Sequence, residues 1–272
     1  MIGGMGDPAS VKLKIARAEK HAADLETEVK TFLFSRPYEV SVMRDSAGKP
    51  VYYLSSVKPT PLGLSSITGD AIQNLRSALD HLAFQLFLSG TAGKDGEGRH
   101  IYFPIGEDKD GFERSLGGKT GGIQSAAIEA INNIEPFAGG KGHQLWILEQ
   151  LNNTDKHRSL ITVGSALRSV DIGSHLMRSI EKSMAKDKAT WGDTKPPEMN
   201  LPLVPADRMF PLKVGDILFI GAAGDEFDEK MKFAFDVSLN EPGVVDGRPL
   251  IETLQQLIKA VKDVIPFLEP FL

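Results

Sequence analysis

A chain of 272 residues with 41% hydrophobic and 25% charged residues has enough apolar material for a sizeable core and lacks the composition of a disordered protein. It contains no cysteine, which excludes a disulfide framework, a thiolate zinc site and a cysteine nucleophile. With 31 basic against 36 acidic residues and a net charge of −5, no whole-protein field draws it to nucleic acid, so strong general nucleic-acid affinity is not expected.

Met1 to Ser10 lack the basic start and apolar run of a signal peptide, and no run approaches the roughly eighteen apolar residues of a membrane span, so a cytoplasmic protein with no membrane partner is expected. Leu13, Ala16, Ala23, Val29 and Leu33 fall at near-helical spacing over residues 11–34, and Pro37 forbids continuation, which predicts a first helix. Val40 and Val42, then Val51 and Tyr53, flank the polar turn-forming run 45–50, the pattern of a β-hairpin over 38–58. Pro59 and Pro61 end it, and Ser65 or Ser66 is placed to cap a long helix through Phe87, with Gly90 and Gly93 beyond its end. Residues 90–122 are glycine-rich and read as mostly loop around the strand-like 101–105, with Gly117 to Gly122 a flexible loop that lacks the spacing of a phosphate-binding one.

Two more helices are predicted at about 123–133 and 142–156, separated by Pro136, Gly139 and Gly140. Residues 159–167 alternate as a strand, 181–205 form a polar excursion, and 212–220 and 231–239 read as strands. A closing helix over 250–265 meets Pro266 and Pro270. Strands and helices do not alternate regularly, so the expected class is α+β: a helical bundle with a β-hairpin insertion, packed beside an antiparallel β-sheet from the C-terminal half. The expected organisation is one domain over 1–272, with a helical core at 11–158, a mainly β part at 159–240 and the closing helix.

The long second helix carries the most unusual surface. Ala71, Ile72, Leu75, Ala78, Leu79, Leu82, Ala83 and Leu86 cover one side of its wheel, and Asp70, Gln73, Asn74, Arg76, Ser77, Asp80 and His81 the other. An exposed face is usually rich in Lys and Glu; this one has short hydrogen-bonding groups, an arginine and a histidine. Arg76 and His81 lie about 140° apart on the wheel, so a second helix or chain is needed for them to converge. The structural reading pairs Arg76 with Asp80 one turn on and leaves His81 in a partly buried polar spot. The functional reading has His81 exchange protons near neutral pH while Arg76 holds a phosphate through its planar fork.

A second polar block, Asn153, Asp155, Lys156, His157 and Arg158, ends the fourth predicted helix, the one that begins near His143. Its cations suit a helix C-terminus, but Asn153, Asp155 and His157 exceed what capping needs. Both helices have apolar sides that belong in one bundle, so the two blocks are expected to meet as one polar cluster, with Asp80 and Asp155 each facing a cation.

The blocks Asn74-Leu-Arg-x-x-Leu-Asp-His-Leu-Ala83, Phe103-Pro-Ile and Asn153-x-Asp-Lys-His-Arg158, in this order, resemble a widespread bacterial protein family to which no activity is assigned; the resemblance spans roughly residues 11–168. More distantly, Arg76-x4-His81 is similar to the motif of HEPN domains, helical bundles that dimerise and often cut RNA without a metal. Ser77 fits the polar residue that commonly follows the arginine there, while the hairpin and the C-terminal sheet have no counterpart in a minimal HEPN bundle. The resemblance implies a metal-independent endoribonuclease or a relative of one, a candidate for a role in defence or stress. His81 would be the acid or base, Arg76 the phosphorane stabiliser, and Asn74, Ser77, Asp80 and the 153–158 block binding residues. RNA and a second copy of the chain are the partners so implied, and no cofactor or resident metal is expected.

Two alternatives stay open. One is a non-catalytic binding or dimerisation module that uses the polar face of helix 65–88, extended by Phe84 and Phe87. The other is a metal-dependent hydrolase with Asp80, His81, Asp155 and His157 as oxygen and imidazole ligands at no diagnostic spacing.

Overall fold

The computed structural model describes residues 8–92, 100–157, 160–171, 200–202, 210–228 and 231–272. The protein is α+β, as its pattern of elements requires. Helix α1 spans Ala9–Phe34, strands β1 and β2 span Tyr38–Arg44 and Pro50–Val57, and helix α2 spans Leu62–Gly90. Helices α3 (Lys109–Lys119), α4 (Ser125–Ile134) and α5 (His143–His157) follow. Strands β3 (Val163–Asp171), β4 (Asn200–Pro202), β5 (Ile217–Ile220), β6 (Lys232–Glu241) and β7 (Val245–Pro249) lead into helix α6, Leu250–Leu268.

The bundle core forms because the apolar stripes of α1, α2, α5 and α6 face one another. Leu25, Leu75, Leu79, Leu148, Leu254 and Leu257 are among its fully buried side chains. Removing a leucine of this kind from water contributes about 1.5–3 kcal/mol. β6 and β7 close one side of this core with Val237, Leu239 and Val245. No helix among the described residues is long and apolar enough to cross a membrane.

The strands form two antiparallel sheets of order β1-β2-β5 and β4-β3-β6-β7. The C-terminal strands are therefore divided: β5 adds to the hairpin, with Val51 opposite Ile220 and Tyr52 opposite Phe219. The reason is a second apolar core of Tyr52, Leu54, Leu167, Val170, Leu212 and Leu218 between the sheets. The rings of Tyr38 and Phe235 lie 4.4 Å apart, tilted by 39°, across it, and burial pushes the Tyr38 hydroxyl up to about 12.

Several local expectations are corrected. α2 begins at Leu62, directly after Pro61, whose fixed φ suits a helix entry; Ser65 is inside the helix and buried, so neither it nor Ser66 caps. Residues 109–119 form α3 rather than loop, and Gly117, Gly118 and Lys119 are its last turn. Three glycines hide it from propensity, but the Asp108 carboxylate caps it by accepting from Gly111 N–H at 2.7 Å, and Phe112 is buried against Phe137. Residues 101–105 are buried except for Tyr102 yet join no strand among the described residues, because the backbone of Phe103 is bonded to side chains of α2. β5 covers only the end of 212–220, and α6 continues past Pro266 to Leu268. The 181–205 excursion lies outside the described residues except for β4.

Candidate functional site

α2 and α5 run antiparallel along a shared seam, since Gly69 meets Asp155 while Arg76, further along α2, meets Glu149, earlier on α5. Gly69 permits the contact: a Cβ built on it would sit 2.5 Å from Asp155 Oδ1. This close approach brings the polar edges of both helices together.

Arg76 is the centre of the seam and is 5% exposed. Its Nε donates to Glu149 Oε2 at 2.5 Å, Nη1 to Asp80 Oδ1 at 2.5 Å, and Nη2 to the Phe103 carbonyl at 3.1 Å. The Phe103 N–H donates back to Asp80 Oδ1 at 3.1 Å. One guanidinium thus ties α2, α5 and the 101–105 segment together. Burial pushes the Asp80 carboxyl up, against the opposing pull of Arg76 and of the Phe103 N–H.

His81 lies on the outer flank of α2, half-buried, and among the described residues it has no hydrogen bond or ion pair. Asn74 donates its side-chain amide to the Asp70 carbonyl at 2.8 Å, a bond within its own helix. Ser77 is half-buried on the same flank. The motif pair Arg76 and His81 therefore does not converge within the chain: one faces the seam, the other faces out.

The second block is only partly gathered. Asp155 packs on Gly69, while Asn153 and Lys156 are exposed. The His157 side chain and Arg158 lie outside the described residues. α2 and α5 do meet, but the group that reaches Arg76 is Glu149. Seven residues of helix, about 10 Å, separate Arg76 from Gly69. No cation pairs with Asp155 among the described residues; burial and the Asp70 carboxylate push its carboxyl up. Eleven residues separate Gly69 from Asp80, about 16 Å along the axis, so Asp155 and Asp80 do not share a metal. No cluster of three or more candidate ligands occurs among the described residues.

Two residues escaped the sequence reading. Glu149 sits beside the buried leucines Leu145, Leu148 and Leu151, and an acid next to a buried stripe signals a buried cation elsewhere. Glu107 accepts from Trp146 Nε1 at 3.2 Å and Gln150 Nε2 at 2.8 Å, which pins the 100–108 segment to α5. Phe87 is a correction in the other direction. It is 3% exposed and part of the core, so it cannot extend an outer docking face, and Phe84 packs half-buried beside it.

A separate concavity of about 400 Å³ lies where the end of α4 and the start of α5 meet α6. Ile134, Leu145, Ala260 and Val264 form its apolar floor, and Phe267, 64% exposed, its outer wall. Its size is that of a small-molecule site.

No protein-family model, curated protein or solved structure matches this chain. Any reading of function therefore rests on the site.

Proposed function

We propose that this chain is a non-catalytic binding module, with the concavity between α4, α5 and α6 as its ligand site and the Arg76 cluster as a structural clasp. The observation that carries the reading is the charge balance around Arg76: one guanidinium faces two carboxylates, Asp80 and Glu149. At an effective dielectric of about 20, charges about 4 Å apart interact by roughly 4 kcal/mol. Two carboxylates at that range cancel the attraction of the guanidinium for a phosphate and leave net repulsion. The apolar concavity is built on packed helices and needs no such rearrangement.

The endoribonuclease reading retains one favourable feature, the half-exposed His81 with no bonded partner among the described residues. It requires Arg76 to leave both carboxylates.

Titration with the uncharged fluorophore 1-anilinonaphthalene tests the binding reading. Saturable, single-site fluorescence enhancement is expected, weakened by Ala260→Trp, which fills the floor, and by Phe267→Asp at an exposed position that leaves the core intact. No enhancement, or equal enhancement in all three proteins, would sink it. In parallel, mixed RNA incubated in EDTA should stay intact; cleavage lost in His81→Ala would restore the ribonuclease.

A further inference from the structure

The rim of the α4–α5–α6 concavity carries matched charges. Lys141 Nζ lies 2.9 Å from Glu135 Oε1, and Lys259 Nζ lies 2.5 Å from Asp263 Oδ2. Both lysines reach the concavity with their charge already answered by a carboxylate, so the site is complementary to a neutral ligand rather than an ion. Its floor is apolar and its wall is the exposed ring of Phe267, a surface on which a planar ring can stack.

Gln144 adds specificity. It lines the concavity, and its Oε1 is buried without a hydrogen-bond partner among the described residues. Buried acceptors are nearly always bonded, so one left unmet beside a concavity points to a group supplied from within it. The oxygen itself is turned away from the open space, so a ligand engages the carboxamide edge only on rotation of the terminal torsion. That edge offers one donor and one acceptor side by side, whichever way its oxygen and nitrogen are assigned. The complementary partner is a planar edge with the same two functions, the way a glutamine side chain reads a nucleobase. Asn133 and Gln256 place two more carboxamides on the rim.

We infer that the concavity binds a neutral, planar heteroaromatic ligand with an adjacent N–H donor and acceptor, of the aromatic-lactam or nucleobase type, its edge paired with Gln144 and its ring on Phe267. This rests on the binding reading above and names its ligand class. The probe pair is 2-quinolone and 1-methyl-2-quinolone, which share shape and carbonyl but differ in the donor. Calorimetric titration of the wild-type protein should give binding of 2-quinolone that N-methylation weakens about tenfold, the equivalent of about 1.4 kcal/mol. In Gln144→Leu, the two compounds should bind alike while the anilinonaphthalene probe still binds; Gln144→Met repeats the test should the leucine variant melt early.

Equal binding of both compounds to the wild type overturns the inference, as does failure of 2-quinolone to bind a protein that still takes up the fluorescent probe. In either case the binding reading stands. Loss of probe and quinolone binding together removes both.

Discussion

Replacing Arg76 by methionine keeps an unbranched apolar stem and removes the charge that answers Asp80 and Glu149. The side chains are 6%, 26% and 18% exposed for Arg76, Asp80 and Glu149. Removing one partner of a buried pair costs about 3–5 kcal/mol, and because both carboxylates keep some contact with water, the lower end, about 3 kcal/mol, applies here. For a chain of this size that is a fall in Tm of roughly 6–12 °C. The loss should depend on pH in a definite direction. Burial already pushes the Asp80 carboxyl up while Arg76 pulls it down. Without Arg76 it rises further. An acid with a raised folded value contributes stability that is fully present below its unfolded value and lost as pH rises through the folded one. The deficit of the variant is therefore largest near neutrality and shrinks as pH falls toward the ordinary carboxylate range. Urea unfolding followed by circular dichroism, near neutral pH and at about pH 4, measures it. Adding Glu149→Leu should recover part of the loss, because an apolar side chain removes a buried unpaired charge. A neutral-pH deficit below about 0.5 kcal/mol, the range of ordinary surface changes, or one that grows on acidification, would refute the clasp.

Asp155 predicts the opposite behaviour. Burial and Asp70 push its carboxyl up with no cation beside it among the described residues, so Asp155→Asn should raise Tm near neutral pH, the gain vanishing as pH falls below the ordinary carboxylate range; a lower Tm at neutrality would show a cation at Asp155. Two glycines separate close packing against backbone from close packing against a side chain. A Cβ on Gly106 would meet the Phe112 backbone nitrogen at 2.2 Å, whereas on Gly69 it meets only the end of the Asp155 side chain. Gly106→Ala should cost at least about 1–3 kcal/mol by overpacking, while Gly69→Ala, with a helix-propensity gain of up to about 1 kcal/mol, should cost clearly less; equal losses in denaturant titrations would contradict the geometry.

The long helices and the hairpin were legible because their signals are local. In α2 an apolar residue every third or fourth position determines the buried face without reference to the rest of the chain, whereas α1 buries Val11, Ile15, Ala18, Ala22, Leu25, Val29 and Phe32 and leaves Leu13, Ala16 and Ala23 exposed, and in β2 Tyr52 and Leu54 rather than Val51 and Tyr53 enter the second core. The pairing of Arg76 with Asp80 was legible for the same reason, as one turn of helix sets their approach. α3 was not, since three glycines weaken its propensity and burial of Phe112 outweighs them.

The sequence by itself determined the α+β class, the core-facing stripe of α2 and the concentration of unusual polar residues on that helix. Tertiary structure alone decided what those residues do. Arg76 and Glu149 are 73 positions apart, and nothing periodic links them; they meet because Gly69 admits Asp155 and fixes how closely α2 and α5 pack. The same packing turns Arg76 inward to two carboxylates, where it serves the fold, and leaves His81 on the outer flank. The division of the C-terminal strands between two sheets, and the concavity at the α4–α5–α6 corner, likewise follow from the matching of distant apolar surfaces, which local spacing does not encode.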